Sequence, residues 1–247
     1  MLVSVIVITL NEANNIKEVI QSVKSASELS SGKLSNIEII LSDGGSVDGT
    51  IAIVSDLVDK VIKSPKGRYN QLNYGARSAN GDVLLFLHGD TLLPLHAILL
   101  IKYVLKNSKI LGGGFKKTWK WNPYINVPAP IQVIRKIWEA LGNWASVSLK
   151  IIPGDNAIFI RKNSFKALHG FSPLLICEDL DFIRRLKKYA KKKNGKITCV
   201  RAAVKTSARR LEKFGLFKTI SNWFSLFLLW RLGLSHSKLN QKYKYSI

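Results

Sequence analysis

The chain has 247 residues, 47% of them hydrophobic, which is enough to bury a full core as one large domain, or one domain with an appendage, and excludes a disordered chain. Its 38 Lys+Arg against 16 Asp+Glu leave a formal charge of +22, which favours phosphates, nucleic acid or anionic lipid as partners without choosing among them. Two cysteines, Cys177 and Cys199, stand at no metal-ligand spacing, so a disulfide framework is excluded and a reducing cytoplasmic setting is expected.

Residues Met1 to Leu10 carry neither a basic leader region nor a small-residue cleavage site, so no secretory signal is expected. The β-branched run Val3 to Ile8 predicts a first strand that ends in the polar turn Thr9-Leu10-Asn11-Glu12. Ile16, Val19, Ile20 and Val23 then recur at helical spacing, with Asn15 and Glu18 placed as a capping pair, before a Ser/Gly-rich loop over Ser25 to Ser35. A second strand, Ile37 to Leu41, runs into Ser42-Asp43-Gly44-Gly45-Ser46-Val47-Asp48-Gly49-Thr50, with Thr50 as the expected cap of the next helix. Strand, Gly-rich turn and helix can bind phosphate, because backbone N–H groups at a helix start lack partners. The turn lacks both the P-loop ending and the dinucleotide fingerprint.

A third strand near Lys60 to Ser64 precedes a helix whose first turn holds Lys66 and Arg68. Cations there oppose the helix dipole, so local stability does not explain them; attraction to a phosphate would, and two ordinary cations in a very basic chain are the other reading. Val83 to Leu87 is a continuous apolar run of strand length, read as a strand buried on both faces, and it ends in His88-Gly89-Asp90. In an open α/β sheet such a strand end faces the ligand crevice. Pro94 is the expected start of a helix with Leu95, Ile98, Leu99 and Leu105 on its apolar side. Repeated strand and helix over residues 1–111 predict parallel α/β layers.

Residues 112–211 differ in texture. Gly112-Gly113-Gly114 is read as flexible and open to close backbone approach, Lys116 to Lys120 with Trp119 and Trp121 as basic and aromatic, and Pro123, Pro128 and Pro130 as a loop. An amphipathic helix with Ile134, Ile137, Trp138, Leu141 and Trp144 follows. Gly154-Asp155-Asn156 leads into a short strand, and Cys177-Glu178-Asp179-Leu180-Asp181 opens a helix that ends in the basic run Lys187 to Lys193. Asp181 can pair with Arg185 at i+4, whereas Glu178 and Asp179 have no such partner and are available as a base for an acceptor alcohol. Residues 212–247 form a separate C-terminal segment, whose mostly apolar run Phe214 to Leu234 carries interior Lys218 and Arg231 and so reads as an amphipathic helix on a membrane or in the core.

In order and spacing, Ser4 to Glu12, Asp43 to Thr50, Ser64 to Arg68, Leu85 to Thr91, Gly154 to Phe159, Cys177-Glu178-Asp179 and Thr206 to Arg210 resemble the family 2 glycosyltransferases. The pattern looks like the small bacterial subgroup of radical-SAM/selenodomain-associated transferases. The resemblance implies an α/β GT-A fold over residues 1–211, with a mostly parallel sheet. It implies a nucleotide-sugar donor, with Glu12 and Asp43 at the nucleotide, Asp43 accepting from the base, Arg68 facing the diphosphate, and Arg209 and Arg210 where relatives carry a Gln-x-x-Arg-Trp segment. Asp90 corresponds to the last acid of the Asp-x-Asp metal motif for Mg²⁺ or Mn²⁺, with His88 in the place of the first acid. Glu178-Asp179 corresponds to the acid pair that supplies the general base, Asp179 being the preferred member. Transfer to an acceptor hydroxyl is expected to be inverting. A lipid-linked or amphipathic acceptor and peripheral binding to an anionic membrane at the inner face of the cell are favoured; nucleic acid is not an expected partner. Two other readings of the residues stand beside this one: a non-catalytic basic protein that binds nucleic acid or anionic membrane, and a nucleotidyltransferase.

Overall fold

Eight strands form one sheet in the order β3-β2-β1-β4-β7-β6-β8-β5 in the computed structural model, which describes residues 1–28, 36–125 and 127–233. The expected loop over Ser25 to Ser35 lies partly outside these residues, as does the chain after Gly233. The parallel half is β1 (Val3–Thr9), β2 (Ile37–Asp43), β3 (Lys60–Lys63) and β4 (Val83–His88). Every residue of β1 is buried, and β4 is buried through Leu87, as expected for strands covered on both faces. β7 (Ile158–Arg161) enters antiparallel between β4 and β6 (Ile110–Lys120), β8 (Lys196–Ser207) lies parallel to β6, and the short β5 (Thr91–Leu92) pairs antiparallel with β8. The sheet is therefore parallel where strand and helix alternate and mixed where they do not.

One face is covered by α1 (Ala13–Ser27), α2 (Thr50–Val54) and α4 (Ala97–Val104), through Ile16, Val19, Ile20, Val54, Ile98 and Ile101. α3 (Arg68–Ser78) and α7 (Glu178–Lys192) cover the other, and α6 (Lys162–Ala167) supplies Phe165 to that core. There Phe86, Phe165, Phe171 and Phe182 pack together, with the Phe171 and Phe182 rings stacked at 4.2 Å between centroids. Such aromatic pairs add about 0.5–1.5 kcal/mol each beyond area burial, and this cluster fixes the start of α7 against the end of β4.

Several local expectations differ from the structure. α1 starts at Ala13, so Asn15 and Glu18 lie inside it and form no capping box; Asn15 instead donates to Glu12 at 2.9 Å. Gly49, in the left-handed region at φ 86, precedes α2, and Thr50 donates to Asp48 rather than capping the helix. Pro94 sits three residues before α4, which leaves Leu95 exposed. Gly112-Gly113-Gly114 and Lys116 to Lys120 are one strand rather than a flexible loop: a Cβ on Gly113 would lie 1.9 Å from the Thr198 carbonyl oxygen. Glycine is needed there because β8 presses directly on the backbone. The C-terminal apolar run is divided at Gly215, φ 82, into α8 (Arg209–Phe214) and α9 (Leu216–Arg231). No helix among the described residues is long and apolar enough to cross a membrane.

Candidate active site

The carboxyl ends of β1, β2 and β4 lie side by side, because Thr9 is in register with Asp43 and Ile8 with both Ser42 and His88. That is where parallel α/β sheets place ligands. The β1 turn and the β2 turn are laced together: Asn11 N–H donates to Ser46, Glu12 N–H to Thr50 and Ala13 N–H to Asp48, each at 2.9 Å. Asp43 is buried and accepts from Thr9 Oγ1 at 3.0 Å, from the backbone of Gly45 and Ser46 at 2.8 Å, and from Ser46 Oγ at 2.5 Å. Burial works to raise its carboxyl, but the Ser46 contacts and the remaining donors outweigh it and hold the group below the usual carboxylate range. These donors are the N–H groups that the Gly-rich turn was expected to offer a phosphate. The turn spends them on Asp43, and its helix is only 5 residues long, so it is a tight connection.

His88-Gly89-Asp90 crosses directly over the end of β1. A Cβ on Gly89 would meet Thr9 Cγ2 at 2.9 Å and Glu12 Cγ at 3.0 Å, so only glycine lets the turn pass. β8 then returns to this turn: Thr91 pairs with Thr206, and Ser207 N–H donates to the Asp90 carbonyl at 3.2 Å. This return carries Arg209 to the site, where it bridges the carboxylate of Glu12 and reaches Asp90 Oδ2 at 3.1 Å. Its neighbour Arg210 is exposed, and its carbonyl accepts from Thr219 at 3.4 Å; Arg209 is the member of the pair that holds Glu12 and Asp90. Residues predicted separately as nucleotide-side and metal-side thus form one ion-paired group.

The first turn of α7 faces this group. Asp181 pairs with Arg185 at 2.7 Å as its spacing predicts. Glu178 and Asp179, expected to lack partners, have them. Arg68, at the start of α3, reaches Glu178 through Nε at 2.6 Å and Nη2 at 3.0 Å. Glu178 is therefore the counter-charge that the dipole argument lacked for Arg68. Burial pushes the Glu178 carboxyl up to about 7, against the pull of Arg68 and with a further push from Asp179. Asp179, only partly buried, accepts from Gly154 N–H at 2.6 Å and from Leu180 N–H at 2.7 Å.

Gly154 opens the turn before β7 and is the meeting point of the site. A Cβ there would touch His88 Nε2 at 3.1 Å and Asp179 Oδ2 at 3.2 Å. Burial lowers the proton affinity of the His88 imidazole, helped by Arg68 and against the fields of Asp90, Asp155 and Asp179. Next to it, Asp155 pairs with Lys117 on β6 at 2.7 Å. Burial opposes that charge, yet Lys117, His88 and Arg68 hold the carboxyl below its ordinary value, and its Oδ1 is buried with no partner. Asp155 and Lys117 were not singled out for roles from sequence. An isolated acid between Gly154 and Asn156 was the available signal, but its partner lies 38 residues away.

Glu12, Asp43, Asp90, Asp155, Glu178 and Asp179 gather at one crevice in a chain of charge +22, with Arg68, Lys117 and Arg209 against them. A surplus of carboxylates in so basic a protein suits a cation. No group of three His, Cys, Asp or Glu among the described residues is placed to hold a metal ion. His88 and Asp90 offer a neutral nitrogen and a carboxylate. That fits a hard divalent ion completed by phosphate oxygens and water, since such ions commonly take only one or two protein carboxylates. Both cysteines are buried free thiols, pushed by burial up to about 12 for Cys177 and about 11 for Cys199, and are inert as nucleophiles.

A model of glycosyl transferase family 2 matches residues 4–165. No curated protein sequence matches the chain. Among solved structures, it is similar to residues 1–349 of TarS from S. aureus in complex with UDP-GlcNAc, at 17% identity over 84% of this chain and 58% of that one, TM-score 0.60. It is similar to the mannosyltransferase PcManGT from Pyrobaculum calidifontis in complex with GDP-Man and Mn²⁺, at 15% identity over 82% of this chain and 56% of that one, TM-score 0.55. A third likeness is to glucosyl-3-phosphoglycerate synthase from Mycobacterium tuberculosis with Mn²⁺, UDP and glucosyl-3-phosphoglycerate, at 20% identity over 94% of this chain and 80% of that one, TM-score 0.58. At these identities the likeness establishes the GT-A α/β fold. The chain spans 58% of the length of the TarS fragment.

Proposed function

Since the chain belongs to glycosyl transferase family 2, we propose that it moves a sugar from a nucleoside-diphosphate donor to an acceptor hydroxyl with inversion at the anomeric carbon. The observation that carries this reading is the meeting of His88 and Asp179 on the Gly154 turn at the carboxyl ends of the parallel strands, with Asp90 two residues after His88 and held by Arg209.

Asp179 accepts the proton of the acceptor hydroxyl as its oxygen forms a bond to the anomeric carbon and the bond from that carbon to the diphosphate oxygen breaks. Two backbone N–H groups fix its carboxylate, and its partial exposure leaves it reachable, whereas Glu178 is buried behind Arg68. Glu178 therefore positions Arg68 instead of exchanging protons with the acceptor. Arg68, held by Glu178, and Arg209 are the cations for the departing diphosphate. Asp43 serves the base side by holding the turn that walls it, since its acceptor positions are taken by Thr9, Gly45 and Ser46. Glu12 flanks the nucleotide, and Arg210, next to Arg209 in sequence, lies on the same side. A divalent ion, Mn²⁺ or Mg²⁺, would be held by His88 and Asp90, where it supplies charge neutralisation for the leaving diphosphate. The imidazole favours Mn²⁺ of the two.

Peripheral contact with an anionic membrane is supported by α5 (Ala129–Trp144), which buries none of its residues and exposes Val133, Ile137, Leu141 and Trp144 along one side, and by exposed Phe217, Phe224 and Leu228 on α9. A lipid-linked or amphipathic acceptor suits such a surface.

Calorimetric titration with UDP-GlcNAc and GDP-mannose, with Mn²⁺ and with EDTA, tests the donor assignment. Micromolar binding of one donor that weakens at least tenfold in EDTA is expected. Tight, salt-sensitive RNA binding with no donor binding would overturn it in favour of a basic binding protein. Mass analysis of the product separates glycosyl from nucleotidyl transfer.

A further inference from the structure

Behind the Gly154 turn lies a cavity of about 180 Å³ that the catalytic reading does not use. Its walls are Trp119 of β6, Trp138 and Gly142 of α5, Trp223 of α9, and Ile151 and Pro153 of the chain leading into the turn. The Trp119 ring is stacked on Trp223 at 5.9 Å and 15° and carries Lys117 Nζ at 4.4 Å from its centre. The aromatic wall is thus braced by its own neighbours. Asn156 lines the same cavity at 1% exposure. Its Nδ2 is committed to the Phe115 carbonyl at 2.6 Å, which fixes the amide orientation, and its Oδ1 is buried without a partner. An orphaned acceptor in an apolar chamber carries a desolvation penalty, and a donor brought by a ligand relieves it.

We infer that this cavity holds the apolar part of the acceptor, a ring or short hydrocarbon segment carrying one hydroxyl or N–H donor for Asn156 Oδ1. The inference rests on the glycosyl-transfer reading of the adjoining site. Size supports it: an apolar void of about 150 Å³ takes a benzene ring. Polarity supports it too: Trp119, Trp138, Ile151 and Pro153 are apolar, and the polar side chains in the same lining are engaged, Lys117 with Asp155, Glu139 with the Trp119 N–H, Asn143 with the Lys117 backbone and Ser146 with the Ile151 carbonyl, so a free sugar finds few partners for its several hydroxyls. Position ties it to the chemistry, since Pro153 and Asn156 flank the turn on which His88 and Asp179 meet, and Lys117 belongs both to the cavity wall and to the ion pair with Asp155. The exposed apolar side of α5 lies on the helix that supplies Trp138 and Gly142, so an amphiphile reaches the chamber along a continuous apolar element.

Gly142 allows the cavity to be filled without disturbing the packing, because a Cβ there meets no atom within 4 Å and a helical glycine is replaced at a gain in helix propensity. The full-length native chain and Gly142→Leu are titrated with benzyl alcohol, followed by saturation-transfer NMR, with toluene and glucose as comparators. The native chain is expected to bind benzyl alcohol at least tenfold more tightly than Gly142→Leu does, and more tightly than it binds toluene or glucose. With a donor that turns over, bound benzyl alcohol is expected either to suppress donor hydrolysis or to emerge as a benzyl glycoside. Equal binding by the two chains, preference for glucose, or binding with neither effect on the donor overturns the inference. Donor turnover in the absence of benzyl alcohol is read separately: its loss in the native chain strikes the glycosyl-transfer reading, and the NMR titration still decides whether the cavity binds.

Discussion

Glu178 is a buried acid paired with Arg68, and its proton affinity makes a stability prediction with a definite sign. The folded chain holds its carboxyl at about 7 against an ordinary value of 4.5, with burial as the main cause and Arg68 opposing it. The folded state binds this proton more tightly than the unfolded state does. Stability from this group is therefore fully present below 4.5 and lost as the pH rises through 7. At 1.36 kcal/mol per unit, the loss between pH 5 and pH 8 is roughly 2–3 kcal/mol. Urea unfolding of the native chain and of Glu178→Gln at both pH values isolates this contribution, because other titrating groups cancel in the difference. The native chain should lose roughly 2–3 kcal/mol more than the variant on going to pH 8. A difference below about 0.5 kcal/mol, or one of opposite sign, would show that Arg68 compensates the buried carboxylate fully and that Glu178 is charged throughout.

Arg209→Gln leaves Glu12 and Asp90 facing each other; because the guanidinium is half-exposed, the cost is about 1–2 kcal/mol of unfolding free energy, and calorimetry should show donor affinity down at least tenfold. Gly113→Ala puts a Cβ 1.9 Å from the Thr198 carbonyl oxygen, so β6 and β8 must part; thermal unfolding should show a loss of about 3 kcal/mol or more, and native stability in this variant would contradict the close strand contact.

The parallel half of the fold was legible because its signals are local. Val83 to Leu87 is too short for a helix and too apolar for an edge, and α1 announces itself through Ile16, Val19, Ile20 and Val23. The second half was harder to read because its cues are contacts between distant segments. Gly112-Gly113-Gly114 looks like a hinge until β8 lies against it. The same holds at the site. His88, Asp90 and Asp179 could be singled out from strand ends and a helix mouth; in the structure His88 and Asp179 meet at Gly154, and Asp90 pairs with Arg209. The pairing of Arg68 with Glu178 spans 110 residues, and that of Arg209 with Glu12 spans 197, so no local pattern could reveal that the predicted phosphate cations rest on predicted site acids. α5 was read correctly as amphipathic, but whether its apolar side is covered depends on what packs against it, and the structure leaves that side exposed.

The account stands most directly on Asp179 as the group that takes the acceptor proton. Donor turnover by the native chain and by Asp179→Asn, at equal donor saturation and with donor affinity measured in parallel, tests it. Loss of about 10²–10⁴-fold in turnover with donor affinity retained is the predicted result. Native turnover in Asp179→Asn would contradict the account and remove the base from this site.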